Sequence, residues 1–319
     1  MAPLRPLDWR GASTAIFLAV LWGGNPVAVK IGLVDAPPLR LALFRFVLGG
    51  LTILAYAWWN RHRGIFDVRP GEWRVLISLG VIFSVQIGTM NVGLGLTTAA
   101  HGAVLLNSYA VHTVVLAHFM IPGDRLTPAK VGGVLIAYAG IVLLFARDFS
   151  FHSATLLGDL VVAASAVLLG ERVVYMARAV QRLDPIKLLV FQSAIGSAGF
   201  LLASLVFEGA TPTRYTWGLA TSLFYQGAVI AGFNFVVNSY LFQVYLASAL
   251  ATCSLTTPLA GVLIAAAVTG DRLSPPASAL LGDGRGRHRP DRPPTSPSPP
   301  WGEGRVRGRL HLDRSPPPR

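Results

Sequence analysis

Apolar residues occupy the chain in long, nearly uninterrupted runs, separated by short polar segments that contain most of the charged residues. Several runs, such as Val75–Leu94 and Ala99–Ile121, reach the ~20 residues that a helix needs to cross a bilayer. The pattern predicts nine membrane-spanning helices, at residues 12–34, 38–59, 73–95, 99–121, 128–146, 155–177, 185–207, 217–242 and 247–269. The expected fold is an all-α, polytopic helical membrane protein.

The composition supports a membrane protein and argues against a nucleic-acid partner. Hydrophobic residues make up 53% of the chain and charged residues 13%, whereas a soluble domain carries about 25% charged residues. The net charge is +12, but residues 283–319 hold nine Arg against four acidic residues, and most of the remaining excess lies in short loops. Cys253 is the single cysteine, which excludes an intramolecular disulfide. Neither a metal nor a cofactor is expected.

The loop charges predict an orientation in the membrane. The loops on the same side as the N-terminus contain eleven Lys and Arg residues, and the opposite loops contain four. Positive residues concentrate in cytoplasmic loops. We therefore expect a multi-pass protein of the bacterial inner membrane with a cytoplasmic N-terminus.

The chain contains an internal repeat with an offset of 147 residues. Gly-Asp-Arg-Leu occurs at Gly123–Leu126 and again at Gly270–Leu273, and Asn91 and Asn238 keep the same offset. One period contains five spans, an odd number, so the second copy enters the membrane in the opposite direction. Inverted repeats of this kind are typical of secondary transporters, which bind their substrate near the middle of the membrane.

The repeat predicts a ten-helix design of which nine spans are present. The first five-helix repeat is expected at residues 1–146 and a second, incomplete one at 147–282. Residues 283–319 contain nine Pro and nine Arg, a composition typical of a disordered segment. One hypothesis is that a frameshift replaced the tenth helix with this tail. The alternative is a genuine basic tail that binds anionic lipid or nucleic acid.

Several short motifs resemble the drug/metabolite transporter superfamily, specifically the EamA-type duplicated domain, over about residues 12–282. The resemblance implies ten helices with both termini in the cytoplasm, and export or exchange of small polar metabolites without ATP. The chain departs from the pattern in lacking helix ten and in having Asp124 and Asp271 where Glu is usual. The motifs are Trp22-Gly23-Gly24-Asn25 with Lys30, Pro38 with Arg45, Gly123-Asp124-Arg125-Leu126, Gly158-Asp159 and Pro258.

Polar side chains inside the predicted spans are the candidate substrate-binding residues, because an unpartnered polar group in hydrocarbon is costly. Asn25 follows two glycines and precedes a proline, so it lies at a helix break or a simple kink, and Trp22 adjoins it. The amides of Gln86, Asn91, Asn234 and Asn238 either bind substrate or join neighbouring helices by hydrogen bonds.

Ionisable residues inside the spans are candidates for proton coupling or charge pairing. His101 and His112 lie on one stripe of span four, where they either relay protons or donate to backbone carbonyls. Glu171 is the best carboxylate for proton coupling. Arg45 is either a charge partner or a cation site for an anionic substrate, and Arg172, at the repeat position of Asn25, is expected to pair with a neighbouring helix.

A secondary transporter that works by alternating access is the function these features favour. Its expected partners are the bilayer and a small molecule such as an amino acid, an amine or a drug-like compound; a homodimer is an alternative to the monomer. The chain has no HExxH, GxSxG or phosphate-cradling glycine loop, so we expect no enzyme activity. The alternative is an inactive or non-transporting membrane protein produced by a damaged gene.

Overall fold

The computed structural model describes residues 4–97, 99–145 and 153–269. The expected tail at 283–319 and the second Gly-Asp-Arg-Leu lie outside the described residues. The helices are α1 Trp9–Leu33, α2 Pro38–Trp59, α3 Glu72–Leu96, α4 Ala99–Asn107, α5 Tyr109–Met120, α6 Pro128–Phe145, α7 Ser153–Ala179, α8 Pro185–Glu208, α9 Trp217–Leu223, a π-helical segment Phe224–Asn234, α10 Phe235–Val244, α11 Ala247–Ser254 and α12 Thr257–Thr269.

Every predicted span corresponds to one helix or to two or three consecutive helical segments, and the polytopic helical fold is confirmed. Six of the described helical stretches are long and apolar enough to cross a membrane on their own. Isolated polar backbone groups are not tolerated in hydrocarbon, so a continuous apolar run of this length has little alternative to a helix.

Spans four and nine are broken, although the sequence predicted both as continuous helices. The breaks fall at Ser108, between α4 and α5, and at Leu255–Thr256, between α11 and α12. In each copy, side-chain hydroxyls donate to the preceding turn: Ser108 to the carbonyl of Leu105 at 2.6 Å, and Thr256 to that of Cys253 at 2.8 Å. These bonds compete with the backbone ladder. Ser108 and Leu255 are 147 residues apart, so the breaks are equivalent in the repeat.

The repeat-equivalent helices α2 and α8 pack antiparallel to each other. At the start of α2, the backbone N–H groups of Leu39 and Arg40 donate to the carboxylate of Glu208, the last residue of α8, at 2.7 and 2.9 Å. Beyond the other end of α2, Lys187 in the first turn of α8 donates to Glu72 at 3.0 Å. Two copies of one helix that run in opposite directions are what an inverted repeat requires.

Polar contacts join the helix ends at the face of the bundle where α1 begins, which we call the N-terminal face. Arg5 N–H donates to the carbonyl of Val244 at 2.8 Å, and the Tyr245 hydroxyl donates to Asp8 at 2.8 Å. The pKa of Asp8 lies below its ordinary value because its carboxylate accepts hydrogen bonds from the Gly11 N–H and the Tyr245 hydroxyl. Asp8 therefore remains ionised at neutral pH, and the contact persists.

A second set of polar contacts joins the helix ends at the opposite face. The Arg40 guanidinium donates to the carbonyls of Thr211 at 2.6 Å and Glu208 at 2.9 Å. Nearby, the Thr216 hydroxyl donates to the carboxylate of Asp35, which joins the end of α1 to the start of α9. Both faces of the bundle therefore carry interhelical hydrogen bonds.

Candidate functional site

A cavity of about 50 Å³ lies in the interior between α7, α8 and α10. This volume accommodates a few water-sized groups, so a whole metabolite needs an opening of the bundle. The lining combines a guanidinium, two amides and a hydroxyl with apolar side chains, and its residues are Arg172, Val173, Met176, Leu189, Gln192, Phe235, Asn238, Ser239 and Phe242.

Arg172 and Arg45 approach one continuous cluster of aromatic rings. The Arg172 Cζ lies 5.2 Å from the ring centroid of Phe83 and 5.8 Å from that of Phe235. The Arg45 Cζ lies 4.9 Å from the ring centroid of Phe46. The Phe46 ring meets Phe83 edge-on at 4.6 Å and lies 6.5 Å from Phe235. Residues from α2, α3, α7 and α10 therefore hold both guanidinium groups at one place in the interior.

Trp22 completes this cluster from the first helix. Its ring stacks on Phe235 with centroids 6.1 Å apart, and the Arg45 Cζ lies 5.8 Å from the Trp22 ring. Trp22 is therefore an interior residue beside a charged group rather than part of an interfacial aromatic belt.

Within the described residues, neither arginine has a carboxylate oxygen within 4.0 Å, since the ion pairs there are His62–Asp184, His101–Asp159, Lys130–Asp124 and Lys187–Glu72. The expected pairing of Arg45 and Arg172 with neighbouring helices is absent from this part of the chain. Cation–π contacts contribute about 0.5–2 kcal/mol each, whereas burying a charge costs several kcal/mol. The rings offset this cost only in part.

The broken spans meet close to this cluster. The Tyr109 hydroxyl, in the first turn of α5, is hydrogen-bonded to the hydroxyl of Ser254, the last residue of α11. Tyr109 also packs against α7, since a Cβ added at Gly170 would lie 3.3 Å from its carbonyl oxygen. The two repeat-equivalent breaks are therefore joined to each other beside one wall of the cavity.

The five predicted amides have different environments. Asn238 lines the cavity, whereas Asn91 lies half-buried on α3 and does not. Gln86 donates to the Ser165 hydroxyl at 3.3 Å, and Asn234 donates to the carbonyl of Leu18 at 2.9 Å. These two amides join helices, one of the two alternatives that the sequence left open. Asn25 is buried, and its Oδ1 has no hydrogen-bond partner within the described residues.

The two histidines of span four are separated by the helix break. His101 is on α4, fully buried, with its Nδ1 2.8 Å from a carboxylate oxygen of Asp159 at the opposite face. His112 is on α5, and its buried Nδ1 has no hydrogen-bond partner in the part of the chain that the structure describes. The single stripe predicted for them assumed a continuous helix, which Ser108 interrupts.

Glu171 is half-buried and does not line the cavity. At 100° per residue, its position on α7 coincides within about 40° with those of Leu157, Leu160 and Val167, whose side chains are all exposed at the surface of the bundle. Its neighbour Arg172 lines the cavity instead. The structure therefore separates the candidate proton-coupling carboxylate from the candidate binding residues.

Gln192 is a cavity residue that the sequence analysis missed. The repeat offset could have identified it, because Gln192 stands 147 residues after Arg45, just as Arg172 stands 147 residues after Asn25. Arg45 and Gln192 differ in residue type, so the repeat does not mark this pair as it marks Asn91 and Asn238. Phe235 and Ser239 were also missed, since nothing in an apolar run distinguishes a cavity wall from a lipid-facing surface.

A sequence profile of the EamA-like transporter family matches the chain twice, at residues 9–146 and 156–281. An "Uncharacterized transporter" of Archaeoglobus fulgidus is 27% identical over 72% of this chain and 80% of its own length. A "Probable amino-acid metabolite efflux pump" of Salmonella typhimurium is 26% identical over 82% of this chain and 87% of its own length. The Escherichia coli protein of the same description is 24% identical over the same shares.

The fold is also similar to that of a solved crystal structure. The two superpose with a TM-score of 0.74 at 20% sequence identity, over 86% of this chain and 96% of the other. At this identity the likeness concerns the fold alone.

Proposed function

The chain belongs to the EamA-like transporter family and is a multi-pass membrane transporter, and we propose that it exports or exchanges small polar metabolites by alternating access. The substrate would be an amino acid, an amine or a drug-like compound, as the description of the Salmonella typhimurium and Escherichia coli relatives as amino-acid metabolite efflux pumps suggests. We place the protein in the bacterial inner membrane with its N-terminus in the cytoplasm, on the charge of the loops.

The observation that carries this proposal is the pair of equivalent helix breaks at Ser108 and Leu255. Discontinuous helices of inverted repeats surround the substrate sites of many secondary transporters, because a half-helix can tilt without moving the rest of its span. Here the breaks are joined through Tyr109 and Ser254, and Tyr109 packs against α7, one of the helices that line the cavity.

Both faces of the bundle are connected by polar contacts, so one face must open to admit a metabolite to a cavity of about 50 Å³. In an alternating-access mechanism, the contacts at each face would form a gate that closes the cavity on that side of the membrane. The Asp35–Thr216 contact joins α1 of the first repeat to α9 of the second at the opposite face, and we assign it to the gate there.

Transport is tested with the full-length protein in proteoliposomes, by counterflow of a pooled panel of amino acids, amines and organic acids without ATP. At least one compound is expected to exchange across the membrane. A panel that stays on its original side, with protein shown to be folded, would contradict the proposal.

A disulfide across the opposite face is expected to stop this exchange. In a Cys253→Ser background, Asp35→Cys combined with Thr216→Cys joins two side chains that are in hydrogen-bond contact in the structure. We expect oxidation to abolish counterflow and reduction to restore it, because the face can no longer open. The two single-cysteine variants are the controls. Full exchange in the oxidised double variant would show that this face does not gate the pathway.

Gln86→Leu and Asn238→Leu are expected to have opposite effects, because only Asn238 lines the cavity. Loss of the hydrogen bond between Gln86 and Ser165 should lower the free energy of unfolding by about 1 kcal/mol and leave counterflow intact. Asn238→Leu should impair counterflow with little change in stability. Thermal unfolding and counterflow of the same preparations provide the measurement, and loss of exchange in Gln86→Leu at unchanged stability would refute the assignment.

A further inference from the structure

Arg45 and Arg172 are the feature of the interior that the general transport proposal does not explain. Arg45 is 2% exposed, and its Nε and Nη2 are buried without a hydrogen-bond partner in the described residues. The Nε of Arg172 is likewise buried without a hydrogen-bond partner in the described residues. An arginine remains protonated in proteins, so each side chain carries a full charge in the interior of the bundle.

The two charges also repel each other. Their guanidinium groups lie against Phe46 and Phe83, two rings whose centroids are 4.6 Å apart, and like charges held this close in an apolar interior raise each other's free energy. A buried arginine that only stabilises the fold is usually paired with a carboxylate. In the described residues, however, the carboxylates that form ion pairs do so with histidines or lysines and not with these two arginines. Two adjacent cations without an acidic neighbour create a positive potential that an anion relieves.

The donors around the arginines suit an oxyanion. Guanidinium groups present planar N–H donors that match a carboxylate in a bidentate geometry. Gln192, 2% exposed, lines the same cavity as Arg172 and adds an amide N–H. In the repeat, Arg172 with Gln192 corresponds to Asn25 with Arg45, so each copy contributes one guanidinium and one amide.

The walls beside these donors are aromatic. Phe46, Phe83 and Phe235 form the cluster over which both guanidinium groups lie. Such rings pack well against an apolar or planar body. In the described part of the chain no carboxylate lines the cavity to receive a substrate ammonium group, which favours an anion over a zwitterion or a cation.

We propose that Arg45 and Arg172 together bind the carboxylate of an organic-anion substrate whose apolar body rests against Phe46, Phe83 and Phe235. This inference rests on the proposed transport function and selects, among small polar metabolites, organic acids rather than amino acids or amines. The carboxylate neutralises one of the two positive charges and so weakens their mutual repulsion, and opening of one face hydrates and releases it.

The test uses full-length protein in nanodiscs and the matched probes phenylacetate, phenylacetamide and phenethylamine, with binding measured by the shift in thermal unfolding. We expect phenylacetate to stabilise the protein and the neutral amide and the amine to have no effect. Arg45→Gln and Arg172→Gln should each weaken phenylacetate binding about 10- to 100-fold, as expected for loss of a charged hydrogen bond. The control is Arg178→Gln, an exposed arginine on the same helix as Arg172, which should bind as the unchanged protein does.

Two further arms keep the test decisive. Arg172→Lys retains the charge, so it should recover part of the affinity even if Arg172→Gln is poorly folded. Equal stabilisation by phenylacetate and phenylacetamide would overturn the proposal, as would inorganic phosphate binding more tightly than the carboxylate. Counterflow separates this inference from the proposed function. If the protein transports amines and no organic anions, the transport function is supported and the anion site is refuted. Arginine-dependent phenylacetate binding without any counterflow supports the site and refutes transport.

Discussion

Replacing Gly23 with leucine is expected to prevent α1 from packing against α12. A Cβ at this position would lie 2.6 Å from the backbone nitrogen of Gly261 and 2.9 Å from the carbonyl oxygen of Thr257. Both are backbone atoms, so no side-chain rotation can relieve the clash. Overpacking of this kind lowers the free energy of unfolding by on the order of 3–5 kcal/mol, a loss that should leave little folded transporter.

Gly133→Leu is the matched control for Gly23→Leu. It introduces the same side chain into α6, at a glycine where an added Cβ would have no atom of the other described segments within 4 Å. We expect this variant to unfold at the same temperature as the unchanged protein in detergent. At Gly170, the repeat equivalent of Gly23, an added Cβ would lie 2.9 Å from the Cβ of His112 and 3.2 Å from the backbone nitrogen of Thr113, so Gly170→Leu should resemble Gly23→Leu. Equal melting of the Gly23 and Gly133 variants would refute the close approach of α1 and α12.

Asp124→Ala is expected to produce the second large effect, because this buried carboxylate has three interactions at the N-terminal face. It accepts the backbone N–H of Ser248 at 3.1 Å and the Ser248 hydroxyl at the start of α11, and it pairs with Lys130 at 2.6 Å. Its side chain is 1% exposed, against 28% for Lys130. Loss of one partner of such a pair lowers the free energy of unfolding by about 3–5 kcal/mol.

Asp184→Ala separates the effect of burial from that of helix capping. Asp184 caps α8 by accepting the N–H groups of Ile186 and Lys187 at 2.8 and 3.1 Å, but its side chain is 44% exposed. We expect this change to cost about 1 kcal/mol, the usual value for an N-cap. Chemical denaturation of both variants provides the comparison. Similar losses in the two would show that Asp124 acts only as a cap.

The sequence predicted the spans because the hydrocarbon thickness demands an apolar run of a definite length. It missed the breaks at Ser108 and Leu255, since a single serine or threonine is common inside helices and only its hydrogen bonds interrupt the ladder. Pro258 in the second copy was the one available signal, as proline is favoured in the first turn of a helix. The first copy breaks without a proline.

The candidate site was predicted in part. Trp22, Arg45 and Asn238 were identified as polar or aromatic residues in apolar runs, and the structure places them around one aromatic cluster or its adjoining cavity. Gln86 and Asn234 satisfied the same criterion but join helices. A sequence pattern shows that a polar group must have a partner in hydrocarbon, but it does not show whether that partner is another helix or a ligand.

The sequence by itself determined the helical class and the positions of the apolar helices, because hydrocarbon selects helices by length and apolar content. Only the tertiary structure decided which polar residues meet. It placed Arg45 and Arg172, from helices distant in the chain, against one cluster of aromatic rings and left the half-buried Glu171 outside the cavity lining. These contacts depend on how each helix is rotated and packed against its neighbours. The residues of one helix alone do not specify that arrangement, because it is a property of pairs of helices.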